Sequence, residues 1–160
     1  MTTDIIAILP EEINRIGIGS RIYYVDRSEM DRRTPTHFLK NLYDQKGKRK
    51  KLVDKQIKNK VQIARNYPYP IDKNHVFFAF KVRNSHYDDQ QRGFVNVKYV
   101  DKIENSNIIL TTGEVIASLN KEKALLNNRR NAQLLYYMSL VESLVDNYEA
   151  VKYVRENLLT

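Results

Sequence analysis

The sequence predicts an α+β fold, a mixed or antiparallel β-sheet followed by a C-terminal helical part, and three observations carry that prediction. Residues 76–118 hold apolar runs separated by turn signals: Val76, Phe77, Phe78 and Phe80, then Phe94, Val95, Val97, Tyr99 and Val100 behind Gly93, then 108–111 and 114–117 on either side of Thr112-Gly113. Such runs read as three or four strands, the last two joined as a hairpin. From about residue 132 the spacing turns helical, with Leu134, Met138, Val141, Val145 and Tyr148 at alternating steps of four and three. A chain of 160 residues, 42% hydrophobic and with five glycines, is long enough to bury one core, so a single domain spanning 1–160 is expected.

In chain order, residues 4–9 form a short apolar strand stopped by Pro10, and residues 21–25 form a second, followed by a densely charged turn over 26–33. Thr34-Pro35-Thr36 supplies a cap and an early proline for a helix carrying Phe38, Leu39, Leu42 and Tyr43, which Gly47 ends. A basic segment then passes into alternation at 61–64, and Tyr67-Pro68-Tyr69-Pro70 is a stiff, extended lead into the sheet region. The polar loop 83–92 is the longest connection among the strands and the natural place for recognition. Asn105-Ser106-Asn107 is a turn. Asn120 is placed to cap a helix over 121–126, residues 127–131 interrupt it, and a longer helix follows with room for a break at 146–147. Its apolar stripe suits a helix packed on the sheet and equally a helix shared with a second subunit.

Several function classes are excluded. The chain has no cysteine, which removes disulfides, thiol catalysis and cysteine-bound zinc. No apolar run approaches the roughly 20 residues that span a bilayer. The first residues lack a basic region before their apolar ones, so no signal peptide and a cytoplasmic location are expected. His86-Tyr87-Asp88-Asp89 is a possible acid/base or metal-binding group, but its carboxylates have no partner at ligand spacing, while His37 and His75 stand alone. With no P-loop and no GxGxxG, the expectation is a protein without catalytic residues, metal or cofactor.

The charge says more by its distribution than by its total of +8. Residues 46–65 hold Lys46, Lys48, Arg49, Lys50, Lys51, Lys55, Lys58, Lys60 and Arg65 against one acid, Asp54, so the rest of the chain is electrically balanced. A polyanion is the natural partner of such a segment, although a basic run can also be only a solvated face.

The order of features resembles the ComK family of bacterial competence transcription factors. The matching elements are Ile6-Ala7-Ile8-Leu9-Pro10-Glu11-Glu12, Val25-Asp26-Arg27-Ser28, Phe38 with Tyr43 ahead of a basic stretch, Pro70-Ile71-Asp72, Val76-Phe77-Phe78, Ser85, Gly93-Phe94, Val97, the strand pair around Gly113, and Leu126-Asn127-Asn128-Arg129-Arg130. The resemblance implies an activator that recognises A/T-rich duplex boxes, largely from the minor groove, binds as a dimer, and switches on genes for DNA uptake. The chain departs from the family at Lys40-Asn41-Leu42, where a small Gly-Ser-Ser run is usual, and at Phe94, where tryptophan is familiar. It also stops at Thr160, without the longer tail through which well-known members meet degradation adaptors; the resemblance keeps such an adaptor as a possible partner, and the departure puts that control in question.

The residues themselves support DNA binding. Cations along 46–65 neutralise phosphates, giving affinity and salt dependence without sequence preference. Arginines entering a narrow A/T groove would supply preference, and Arg49, Arg83, Arg92, Arg129 and Arg130 lie in loop-like contexts able to reach it. Asn84, Gln91, Asn127 and Asn128 are the accompanying polar candidates. The alternative is a module that binds RNA or single strands through 46–65 without preference. The eleven tyrosines read as packing residues rather than stacking platforms.

Overall fold

A computed structural model describes residues 3–63 and 65–158. Strands β1 (Ile5–Ile13), β2 (Gly17–Tyr24) and β3 (Ser28–Asp31) form a meander, and helices α1 (Pro35–Gln45) and α2 (Lys50–Lys60) follow. Strands β4 (Tyr69–Asp72), β5 (His75–Lys81), β6 (Arg92–Asn96), β7 (Val100–Glu104), β8 (Asn107–Leu110) and β9 (Val115–Ala117) come next, then the long helix α3 (Glu122–Asn157). The fold is α+β with two antiparallel sheets, one of order β3-β2-β1-β6-β5-β4 and one of order β7-β8-β9.

Alternation along β5 divides the core. Phe77 packs with Ile8, Ile22, Leu39, Tyr43 and Ile57, on the side of α1 and α2. Val76, Phe78 and Phe80 pack the other way, with Ile103, Ile108, Leu125 and Ala132. The six-stranded sheet is thus a middle layer, with α1 and α2 on one face and the small sheet with the start of α3 on the other. Phe77 and Phe78 are 0% and 1% exposed, and burying each contributes roughly 1.5–3 kcal/mol. One polar side chain lies among them: Asn96 donates from Nδ2 to the carbonyls of Ile5 at 2.9 Å and Asn74 at 2.7 Å.

Thr34 caps α1, accepting from the His37 amide at 3.4 Å with Pro35 behind it, and Gly47 takes the positive φ of +65° that turns the chain out of the helix. Elsewhere the local reading needs correction. Pro10 does not stop β1, which runs on to Ile13; β6 pairs with β1 at Ala7 and Ile8, so at Pro10 only β2 lies alongside, where a sheet tolerates proline. The charged turn at 26–33 contains the edge strand β3, whose exposed ion pairs, Arg27 with Glu29 and Arg33 with Asp31, each at 2.9 Å, suit a strand with one open side.

The region 76–118 holds five strands rather than three or four, because the run after Gly93 is broken. Asn96 accepts from the Lys98 amide at 3.2 Å, and a 3-10 turn at Val97–Tyr99 sends β7 into the second sheet. Within the basic segment, residues 50–60 are helical, since Val53 and Ile57 fall one turn apart and are buried. Residues 61–63 form no strand, and Ala64 lies outside the described residues. Asn120 does not cap a helix; its Oδ1 accepts from the Lys81 amide at 2.6 Å. Residues 127–131 and 146–147 do not interrupt α3, which is continuous over 36 residues, about 54 Å.

Candidate nucleic-acid interface

The basic segment is arranged by α2. Lys51, Lys55 and Lys58 recur at i, i+4 and i+7 and are exposed, on the side of the helix away from Val53 and Ile57. Other cations of the segment are partly engaged. Lys48 donates from Nζ to the Ile71 carbonyl at 2.9 Å, and Lys46 lies 3.5 Å from Asp72. Lys50 pairs with Asp54 at 2.6 Å and stands 4.7 Å from the centre of the Tyr69 ring, and Lys60 reaches Glu142 at 3.8 Å. The first group is positioned to meet phosphates; the second ties α2 to its surroundings and adds charge.

Three clefts continue from α2 across the surface. The first, about 670 Å³, lies between α1 and the start of α2, with Lys40, Lys48, Arg49, Lys50, Lys51 and Arg92 around an apolar floor that includes Leu39, Tyr43 and Phe94. The second, about 270 Å³, shares Tyr69 and Arg92 with the first and adds Asn66, Gln91, Asn120 and Asn128. The third, about 750 Å³, shares Asn66 and Asn128 with the second and adds Arg65, Lys121, Lys123, Asn127 and Arg130. A basic strip therefore runs from α2 through Arg92 to the start of α3, with asparagine and glutamine amides in its middle. Asp44 and Asp88 line these clefts too, and Asp54 pairs with Lys50 beside the first.

Both helices that begin on this strip start without a side-chain cap, α2 behind Arg49 and α3 behind Lys121. Their first-turn amides and positive dipole ends add to the attraction for an anion. α1, capped by Thr34, lacks that feature. Asn128 donates from Nδ2 to the Ala79 carbonyl at 3.3 Å, and its buried Oδ1 has no hydrogen-bond partner. The Tyr43 hydroxyl, buried and unpaired at the base of the first cleft, has its pKa pushed upward by burial and by nearby Asp54.

The strip thus gathers Lys48, Arg49, Lys50, Lys51, Arg65, Gln91, Arg92, Asn127, Asn128 and Arg130 from the sequence reading. It does not gather the others. Arg83 and Asn84 line none of the three clefts, and the Arg83 amide is taken up at 3.4 Å by the Gln91 carbonyl across the loop. Arg129 and Arg130 sit within α3 rather than in a loop, so their side chains diverge by about 100°. Arg129 donates from Nη2 to the carbonyls of Val100 at 3.2 Å and Asp101 at 2.8 Å, facing β7. Lys40, Asn66, Lys121 and Lys123 were not singled out by sequence. Lys123 had a signal: with Asn127 and Arg130 it forms an i, i+4, i+7 set, visible only once 127–131 is read as helix.

Among the described residues no group of three or more His, Asp or Glu is placed to hold a metal ion, and no helix is long and apolar enough to cross a membrane. Asp88 and Asp89 lie in a 3-10 turn, Asp88–Gln90, beside exposed Tyr87. No family model matches the chain, and neither a curated protein nor a solved structure does.

Proposed function

We propose that this protein binds A/T-rich double-stranded DNA as a regulator of transcription of the competence type, holding the phosphate backbone with the basic strip and reading the groove from its centre. The observation that supports this reading is the continuity of the strip: residues far apart in sequence, Lys51, Arg92 and Arg130, line clefts that share side chains with one another. A polyanion engages such a surface over its whole length, whereas a small anion would need one of the clefts alone. The exposed lysines of α2 and the uncapped start of α3 take phosphates. Arg92 and Asn127 are then the residues nearest a groove floor, where arginine favours the narrow A/T groove and a side-chain amide donates to the adenine N3 and thymine O2 acceptors.

The test is a titration against two duplexes of equal length at one near-physiological salt concentration, one with paired A-run and T-run boxes and one G/C-rich. A preference of at least 10²-fold, about 2.7 kcal/mol, is the expected result. Equal, strongly salt-dependent binding, with single strands competing as well as duplex, would leave only nonspecific attraction and refute the reading as a specific regulator.

A further inference from the structure

The first cleft differs from the others on the strip in what lies beneath its cations. Phosphates call for positive charge and hydrogen-bond donors, and the third cleft offers little else: apart from Ala124 and Leu126, its lining is polar or charged. The first cleft instead lays Leu39, Tyr43, Tyr69 and Phe94 along its floor, with Leu52, 57% exposed, as one wall. Three of these floor side chains are rings, and Tyr69 meets Phe94 edge to face with ring centres 5.1 Å apart. The volume, about 670 Å³, falls within the roughly 300–1,000 Å³ of sites that enclose a small organic molecule. A nucleic-acid backbone presents phosphates and sugars, which leave an aromatic floor of this kind unused.

The rim sets the charge of the occupant. Lys40, Arg49, Lys51 and Arg92 are exposed around the mouth. Lys48 and Lys50 line it as well, with their Nζ atoms engaged by the Ile71 carbonyl at 2.9 Å and by Asp54 at 2.6 Å. Asp44 also lines the cleft, so the cations outnumber the acid there. Residues 49–52, the uncapped start of the eleven-residue α2, form one side, which brings first-turn amides and the positive end of the helix to the same space. A further donor lies at the base: Tyr43 is 2% exposed and its hydroxyl makes no hydrogen bond. Burial and nearby Asp54 push its pKa upward, which keeps the proton on the oxygen. An apolar, ring-lined floor under a cationic mouth is complementary to a molecule that is aromatic at one end and anionic at the other.

We propose that the cleft between α1 and the start of α2 binds a small aromatic anion, its ring on Leu39, Tyr69 and Phe94 and its carboxylate or phosphate group at the mouth among Arg49, Lys51 and Arg92. This inference does not rest on DNA binding, and its test contains no DNA. The probe is naphthoate, titrated into the full chain at fixed ionic strength and followed by amide NMR, with naphthalenemethanol, octanoate and inorganic phosphate as comparisons. Naphthoate should bind about 10-fold or more tighter than each of the three and should shift the amides of Leu39, Leu52 and Phe94. Leu52→Glu, at an exposed position where a first-turn acid suits the helix, should leave the thermal transition in place and weaken naphthoate about 10-fold or more. Absence of binding, or shifts confined to other parts of the chain, would overturn the proposal. Phosphate binding as well as naphthoate would reduce the site to charge, naphthalenemethanol binding as well would reduce it to an apolar hollow, and octanoate binding as well would remove the aromatic requirement; each refutes it, as does a Leu52→Glu chain that binds naphthoate unchanged.

Discussion

Arg129 and Asp101 join the long helix to the second sheet: the Nη2 of Arg129 donates to the Asp101 carbonyl at 2.8 Å, and to that of Val100 at 3.2 Å. Its neighbour Arg130 is exposed in the third cleft. Two adjacent arginines thus hold different roles, and substitution separates them. Arg129→Ala should cost about 1–3 kcal/mol in chemical denaturation, since it strips partners from two carbonyls. Arg130→Ala should leave stability within about 0.5 kcal/mol and instead weaken DNA binding, with the salt slope reduced by about 0.9 for one phosphate. Equal loss of affinity in both variants at full folding would contradict this division.

The exposed face of α2 gives a second separation. Lys51→Glu, Lys55→Glu and Lys58→Glu together should leave the fold intact, because the three side chains are exposed on the face of α2 away from buried Val53 and Ile57. Each lost phosphate contact removes about 0.9 from the slope of log K against log salt, so the triple variant should lose about 2.7 or more. Lys50→Glu should behave differently, lowering the melting midpoint, since it places a second carboxylate beside Asp54 and removes the cation from the Tyr69 ring.

How much of this was legible depended on whether the deciding interaction was local. Strand identity at Phe77 and Phe78, the Thr34 cap and the Gly113 turn follow from side chains within a few residues, and all are present. The continuity of α3 was hidden. Asn127-Asn128-Arg129-Arg130-Asn131 reads as a polar break until Asn128 is seen to bond Ala79 and Arg129 to bond β7, partners distant in sequence. The same holds for the helix over 50–60, whose eight polar residues conceal Val53 and Ile57. The site was legible as composition, a concentration of cations, but its joining through Arg92 and Asn128 depends on sheet order, which periodicity does not encode.

Acid should destabilise the fold through Asp4 and Asp72. Partial burial would raise the Asp4 pKa, but hydrogen bonds from Lys98 at 2.8 Å and Tyr99 at 2.5 Å hold it below the ordinary carboxylate value. Asp72 is depressed likewise, its burial outweighed chiefly by His75 at 2.9 Å. Folded values below the unfolded ones mean stability present above about pH 4 and lost as pH falls through the folded pKa. Thermal melting from pH 6 down to pH 2.5 should show the midpoint falling below about pH 4. Asp4→Asn should lower it at pH 6 and flatten that fall; an unchanged profile would remove Asp4 from the account.

Asn96 offers the sharpest test of how the sheet is held. Fully buried in β6, it donates to Ile5 at the start of β1 and to Asn74 in the turn between β4 and β5, and its Oδ1 accepts from Lys98 where the chain leaves for the second sheet. Asn96→Ala leaves these groups without side-chain partners and should cost about 2–3 kcal/mol. Asn96→Asp is the more informative change, because it keeps size and the acceptor while turning both donors into a carboxylate aimed at two carbonyls. Near neutral pH it should be the worse variant, since a buried charge facing carbonyl oxygens is destabilised. Its folded pKa is raised for the same reason, so its deficit should shrink as pH falls from 7 toward 4, where the carboxyl is protonated and donates one bond again. That trend opposes the acid loss through Asp4, so the two variants melted side by side should move toward each other as pH falls, and parallel curves would show that Asn96 does not face those carbonyls.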